Sequence, residues 1–295
     1  MHEHPARLVR MSTADTRMPT CYRHPDRETG LSCSECGRPI CTECMTPAPV
    51  GLRCPDHAGS RKSVNAPRIV RRAPRGATDA LVTKTLIGVN VVIYLITAVQ
   101  GGGYNAPGGR LFYDMFLYGP AVAHGDWWRL ITAAFLHASI LHIGLNMYVL
   151  WIIGGPVEAY LGRARYIGLY FVSGLAGSAG ALVVTPLALT VGASGAIFGI
   201  LGALLIIEWQ TTGRLAGNAM TWIVINLVLS YVIPGVSIGG HVGGLIGGIL
   251  VTLAFANWGR GHARYGKIGV AGFAGLAAVA VASVAIAYFK VRGYA

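Results

Sequence analysis

The chain has 295 residues, 53% of them hydrophobic and only 12% charged, with a formal net charge of +12. Soluble domains hold about 25% charged residues, so an ordinary soluble enzyme is excluded, as are collagen-like and extensively disordered chains. The positive balance suggests nucleic acid, but the distribution of charge does not: residues 1–60 hold seven basic and seven acidic side chains, residues 61–80 six and one, and residues 81–295 eleven and four.

Residues 1–20 show no periodicity and are expected to form a mobile tail. No long apolar run precedes Leu81, far too late for a signal peptide. The N-terminal part is therefore expected to stay in the cytoplasm, where thiols remain reduced. Residues 21–57 contain all six cysteines, spaced Cys21-x2-His24-x8-Cys33-x2-Cys36-x4-Cys41-x2-Cys44-x9-Cys54-x2-His57. A pair of soft donors two residues apart on a tight turn reaches one tetrahedral ion. Eight such donors make two closed sites with no open position for chemistry, so two structural zinc ions are expected. In so small a segment metal binding supplies the folding energy. Its charge neutrality points to a protein partner and away from nucleic acid.

This segment resembles a B-box-type zinc finger. The resemblance implies a cross-braced pairing, with Cys21 and His24 sharing an ion with Cys41 and Cys44, and Cys33 and Cys36 sharing the other with Cys54 and His57. The spacing itself is equally compatible with sequential pairing. Residues 58–80 follow as a basic linker; its run RKSVNAPRIVRRAPR (61–75) suits anionic lipid headgroups or a solvated tether that fixes topology.

From Leu81 onward seven apolar stretches follow, roughly 81–99, 137–155, 164–184, 194–211, 218–234, 238–257 and 267–289. A span needs about 20 residues, and several of these are short enough to require tilt or local thinning of the bilayer. The fold class is thus an all-α polytopic membrane protein behind a small zinc-stabilised domain. With the N-terminus inside, the inner loops carry Arg163 and Arg165, then Arg214, then Arg260, Arg264 and Lys267, whereas the outer loops carry only Arg110 and Arg129. Positive residues favour the cytoplasmic side. Lys290 and Arg292, after the seventh span, fall outside as a mild violation. In the first outer loop, Trp128 beside Arg129 suits the membrane interface.

Polar groups inside spans are expensive and are functional candidates. Three clusters stand out. Gly192-Ala193-Ser194-Gly195 opens the fourth span, where free backbone N–H groups can face a developing oxyanion. His241 lies one turn into the sixth span, among glycines repeating every four residues that permit close helix packing. Both spans run inward from the outer side, so Ser194 and His241 lie at similar depth, and a histidine in reach of a serine acts as its general base. Glu158 and Glu208 fall near the inner side, which leaves a Ser–His dyad without a carboxylate. The third cluster, His142 and Asn146, lies on one face of the second span at the same depth. It suits either oxyanion stabilisation or interhelical hydrogen bonding. His137 is expected at the rim as a structural hydrogen-bonder.

Together these clusters make residues 81–260 resemble a rhomboid intramembrane serine protease, a six-helix core to which residues 261–295 add a seventh span and tail. The resemblance rests on Trp128-Arg129, His142 and Asn146, Gly192-x-Ser194-Gly195, and His241-x-x-Gly244-x-x-x-Gly248. It implies Ser194 as nucleophile, His241 as base, and His142, Asn146 and the Ser194 amide as the oxyanion site. It further implies Gly195 as the small residue that keeps that region open, and Trp128 and Arg129 as part of a loop embedded in the outer leaflet. Phe198 stands where many members have tyrosine; it can stack on His241 but cannot donate a hydrogen bond, which leaves the imidazole less constrained. The implied substrates are transmembrane segments of membrane proteins, cleaved toward the outer side without a catalytic metal. Two alternatives are a catalytically inactive rhomboid-fold chaperone or binding protein, and a transporter using His137, His142 and His241 as a proton path.

Overall fold

The computed structural model describes residues 18–48, 51–58, 79–215, 217–256 and 269–295, and the chain divides into two units, Met1–Arg71 and Arg72–Ala295. Most of the expected linker at 58–80 and of the tail at 1–20 lies outside the described residues.

In the first unit, residues Thr46–Pro47 (β1) and Leu52–Arg53 (β2) form an antiparallel pair, and Pro55–Ala58 (α1) makes one helical turn. Isolated bridges join Thr20 to Glu28 and Ser32 to Pro39. The interior consists of the side chains of Cys21, Cys33, Cys41, Cys44 and Cys54 around Ile40, with Tyr22, Leu31, Met45 and Leu52 packed at its edge. Thr29 pins the centre, donating to the Ile40 carbonyl at 2.8 Å and accepting from the Leu31 N–H at 3.1 Å. One buried isoleucine is far too little apolar surface to hold a domain of this size without a cross-link.

The second unit is helical: Leu81–Gln100 (α2), Gly109–Met115 (α3), Gly119–Ala123 (α4), Arg129–Thr132 (α5), Ile140–Leu161 (α6), Arg163–Val184 (α7), Ser194–Thr212 (α8), Asn218–Val232 (α9), Ile238–Phe255 (α10) and Val270–Val291 (α11). The helices α2, α6, α7, α8, α10 and α11 are long and apolar enough to cross a membrane. At 15 residues, α9 is shorter, about 22 Å against a hydrocarbon core of about 30 Å. The expected second span starts later than its apolar run because Ser139 caps it, accepting from the His142 N–H at 3.2 Å. It continues through Pro156 to Leu161 and ends at Gly162, whose φ of 81° is unfavourable for other residues.

Helices α7, α8 and α10 form the centre, and what brings them together is the absence of side chains. A methyl group built on Gly244 would overlap the Gly195 carbonyl, and one on Gly248 would overlap Gly199. On Gly202 it would stand 2.7 Å from the Leu245 carbonyl oxygen. The opposite face of α10 meets α7 in the same way: Gly239 against Gly180, and Gly243 at 2.5 Å from the Ala176 oxygen. Hydrocarbon offers helices no hydrophobic incentive to associate, so such backbone contact is a main source of packing energy.

Four carboxylates of this unit have partners within the fold. Glu158 of α6 caps α2, accepting from the backbone N–H of Val82 at 3.0 Å and of Thr83 at 2.8 Å, and from the Thr83 hydroxyl at 2.8 Å. Glu208 accepts the Ala219 N–H at the start of α9 at 3.0 Å. Asp126 pairs with Arg129 and Asp114 with Arg110.

Gly244→Val is expected to lower unfolding stability by at least about 2 kcal/mol, since its side chain must displace the α8 backbone. Gly88→Ala, on a face of α2 with nothing within 4 Å, serves as control. Thermal unfolding of both variants in one detergent checks this; equal midpoints would contradict the packing account.

Candidate active site and metal centres

Ser194 opens α8, and the local chain explains its accessibility. Ser139 and Ser237 cap the starts of α6 and α10, but no side chain caps α8. The first intrahelical bond runs from the Ile197 N–H to the Ala193 carbonyl at 3.0 Å. The first-turn N–H groups, including that of Ser194, are left without intrahelical partners. The approach is set by Gly192, whose φ of 127° lies outside the range of L residues. A Cβ there would stand 2.8 Å from His142 Nε2 and 3.7 Å from Ser194 Oγ. His142 and Ser194 therefore face each other across this glycine.

The loop carrying Gly192 is bound to the loop between α2 and α6. Leu117 and Thr190 exchange two backbone hydrogen bonds of 3.0 Å, Gly119 donates to the Pro186 carbonyl at 2.8 Å, and Gly192 donates to that of Ala133 at 2.9 Å. The first loop is in turn braced from inside by Arg129, which is 7% exposed. Its guanidinium bonds Asp126 at 2.9 Å and the carbonyls of Tyr113 and Phe116 at 2.8 and 2.9 Å. Trp128 Nε1 donates to the Asp114 carbonyl and the Thr132 hydroxyl to that of Met115, both at 2.9 Å. Residues 128–132 thus satisfy four successive carbonyls at the end of α3, the groups a helix C-terminus leaves open. Of the two residues expected at the interface, Trp128 is half exposed, whereas Arg129 is turned inward as a brace.

His142 and His241 have different partners. The Ala138 N–H donates to His142 Nδ1 at 3.3 Å, which in the neutral ring places the proton on Nε2, the atom beside Gly192. Asn146, one turn further along α6, is 8% exposed and donates to the His142 carbonyl at 2.9 Å. His241 is 7% exposed and lies stacked on Phe198, centroids 4.2 Å apart and planes 19° from parallel. Phe198 is one turn after Ser194 on the same face of α8. Gly195 keeps the helices this close: a Cβ there would meet Gly177 Cα at 3.3 Å and the Gly240 carbonyl oxygen at 3.4 Å.

Ser194 Oγ makes no hydrogen bond to His241 in this structure; such bonds tighten as a substrate binds. The imidazole bonds instead through Nδ1, at 2.5 Å, to Ser230 Oγ on α9, a residue the sequence did not single out. The expected looseness of His241 beside a phenylalanine is therefore not found: the ring is held on one face and at one edge. No carboxylate hydrogen-bonds His241 among the described residues. His137 departs from expectation as well. It is fully buried against His142, ring centroids 5.1 Å apart, and neither of its nitrogens meets a partner among the described residues.

In the N-terminal unit the ligating atoms of Cys21, His24, Cys41 and Cys44 lie within 4.8 Å of one another, and so do those of Cys33, Cys36, Cys54 and His57. This is the cross-braced grouping; sequential pairing does not match it. Tetrahedral bonds of zinc dimensions require about 3.8 Å between sulfurs and about 3.6 Å between sulfur and nitrogen. The observed edges are 3.9 Å for Cys36–Cys54, 3.4 and 3.3 Å from His24 Nδ1 to Cys41 and Cys44, and 3.2 Å from His57 Nδ1 to Cys54. Burial would push the Cys33 thiol up, but the backbone N–H groups of Cys54, Glu35 and Cys36 outweigh it and bring it down to about 5. Cys21 is held at about 6 for the same reason, through Cys41, Arg23 and His24. Thiolate is the form that binds metal, although burial and the neighbouring Cys21 and Cys41 push Cys44 up to about 11; it is the soft donor set and the tetrahedral edges that fit both quartets to a structural ion.

Comparison with known proteins bears on the membrane unit. Residues 124–258 match the family model of the rhomboid domain. The chain is 30% identical over 162 residues to a rhomboid protease of Bacillus subtilis named GluP, covering 52% of this chain and 31% of that protein. It is 44% identical over 89 residues to the putative rhomboid protease YdcA of the same organism, covering 30% and 45%. With a rhomboid-like protease 3 of Toxoplasma gondii the identity is 34% over 114 residues, covering 39% and 43%. The matches thus span less than half the length of each of these relatives. With six described helices long enough to cross a bilayer, α2, α6, α7, α8, α10 and α11, and the shorter α9, the chain is a multi-pass membrane protein in which α2 and α6 to α10 make a rhomboid-like six-helix core and α11 is a seventh helix.

Arg129→Ala is expected to leave the α3 carbonyls open. Hydrogen exchange across residues 109–135 then runs at least about tenfold faster, the equivalent of ~1.4 kcal/mol. Unchanged exchange would show that Arg129 does not brace the loop.

Proposed function

We propose that this chain is an intramembrane serine protease of the rhomboid family that cleaves transmembrane segments through Ser194 and His241. The observation that carries the proposal is the stacking of His241 on Phe198, one helical turn from Ser194, with His142 Nε2 across Gly192. This arrangement supports a nucleophile, a base and an oxyanion donor acting on one substrate carbonyl.

Ser194 Oγ attacks the scissile carbonyl while His241 Nε2 takes its proton. The oxyanion is met by the His142 Nε2–H and the Ser194 N–H, with Asn146 one turn deeper; donors fixed before the reaction are worth most in such a water-poor site. His241 then protonates the leaving amine. Water, activated by the same imidazole, hydrolyses the acyl-enzyme to a carboxylate and frees Ser194. The substrate helix must unwind to present its carbonyl, since a hydrogen-bonded helix shields it. Ser230 also touches His241, but it is a poor nucleophile. It is 4% exposed, it is bonded to the Asn226 carbonyl, and it lies near the end of α9 without free amides beside it. The charge pattern supports a cytoplasmic N-terminus, which puts Ser194 and His241 toward the outer side.

For the N-terminal unit we infer a B-box-like finger, residues 21–57, held by two zinc ions that close its turns and take no part in the hydrolysis. Its role is to bind a protein partner or regulate the membrane unit.

In proteoliposomes carrying a transmembrane reporter, Ser194→Ala and His241→Ala are expected to reduce cleavage about 10³-fold or more. A wild-type chain that cuts no such reporter would overturn the assignment in favour of a binding protein, and transport surviving Ser194→Ala would favour a transporter. Elemental analysis of the full chain is expected to find two zinc ions, falling to one in Cys33→Ser. Chelation is expected to make residues 21–57 protease-sensitive, and resistance after metal removal would contradict the structural role.

A further inference from the structure

The contact between Ser230 and His241 has a direction. Ser230 Oγ lies 2.5 Å from the Asn226 carbonyl oxygen and 2.5 Å from His241 Nδ1. A hydroxyl carries one proton, and a carbonyl oxygen only accepts. If the proton pointed at Nδ1, two oxygen lone pairs would face each other at 2.5 Å in a buried, low-dielectric setting, where an unmade hydrogen bond is most costly. The hydroxyl therefore donates to Asn226, and His241 Nδ1–H donates to the hydroxyl. Each bond polarises the next.

We propose that Ser230 is a positioning residue that fixes the tautomer of His241, a role that rests on the protease reading above. A neutral imidazole with its proton on Nδ1 has its lone pair on Nε2, the form a general base requires. The chain imidazole–hydroxyl–carbonyl thus does with neutral oxygens what an orienting carboxylate does in a triad. Among the described residues no carboxylate hydrogen-bonds His241: Glu158 and Glu208 cap helices, Asp126 and Asp114 are paired with arginines in the first loop, and Asp79 stands just before α2, on the far side of that helix from the first loop. Phe198 fixes the plane of the ring, but a phenyl cannot choose between tautomers. Placement of the bond follows from topology. Ser230 is in the last turn of α9 and His241 in the first turn of α10, antiparallel helices joined by residues 233–237, so the two are level.

The test uses the full chain in lipid nanodiscs. With nitrogen-15-labelled histidine, and His241 identified by its loss in His241→Gln, the wild type is expected to show Nδ1 protonated and Nε2 bare. Ser230→Ala is expected to shift His241 toward a tautomer mixture. In the reporter assay Ser230→Ala is expected to lower kcat about 10- to 100-fold, as loss of an orienting partner does elsewhere, with KM little changed. Ser230→Thr, which restores a hydroxyl, recovers most of that loss. A wild-type His241 protonated on Nε2, or a Ser230→Ala enzyme with wild-type kcat, would overturn the proposal. A wild type inactive on every reporter but carrying the Nδ1–H signature would refute the protease reading while leaving the Ser230 bond in place.

Discussion

The site depends on two helices touching through their backbones. Gly195 and Gly199 of α8 face Gly244 and Gly248 of α10 with no room for a methyl group between them. This contact lets a side chain in the first turn of one helix share a pocket with a side chain in the first turn of the other. Had α10 carried alanines at these positions, its axis would stand further from that of α8 and His241 would lose its stack on Phe198. The same economy extends to α7, whose Gly177 and Gly180 admit Gly195 and Gly239. Glycine weakens helices in water; in a membrane span, where every backbone hydrogen bond is made internally, the loss is offset by close approach.

Around that contact two histidines are held in complementary states by neutral partners. A backbone N–H occupies His142 Nδ1 and leaves its Nε2 as a donor, whereas in the proposed tautomer the Ser230 hydroxyl accepts from His241 Nδ1–H and leaves its Nε2 as an acceptor. One ring is suited to face an oxyanion and the other to take a proton, with no charged group spent on either. The acids and Arg129 serve the scaffold instead. Arg129 closes α3, the first loop then holds residues 186–192, and Gly192 separates Ser194 from His142.

Much of this was legible in the sequence. Cysteine and histidine pairs two residues apart point to the two ligand quartets, and span order puts Ser194, His142 and His241 each in the first turn of its helix. Periodic glycine shows that the fourth and sixth spans can touch. What was not legible depends on partners distant in sequence. Ser230 looks like any serine that bonds back to the carbonyl four residues earlier, which it also does; only its level position across a five-residue turn from His241 could have marked it. Trp128-Arg129 has the composition of an interface anchor, and nothing local shows that the guanidinium turns inward to α3. Glu158 was placed near the inner side, but its service as the missing cap of α2 needs the α2–α6 contact. His137, expected to hydrogen-bond at the rim, instead packs against His142 in full burial.

The most direct test of the account is to locate the nucleophile chemically. Wild-type protein in nanodiscs is treated with a fluorophosphonate, and the adduct is mapped by peptide mass spectrometry. The account predicts a single adduct on Ser194, lost when His241 is replaced by alanine. An adduct on Ser230, the serine in contact with the imidazole, or none on a protein that cleaves its substrate, would contradict it.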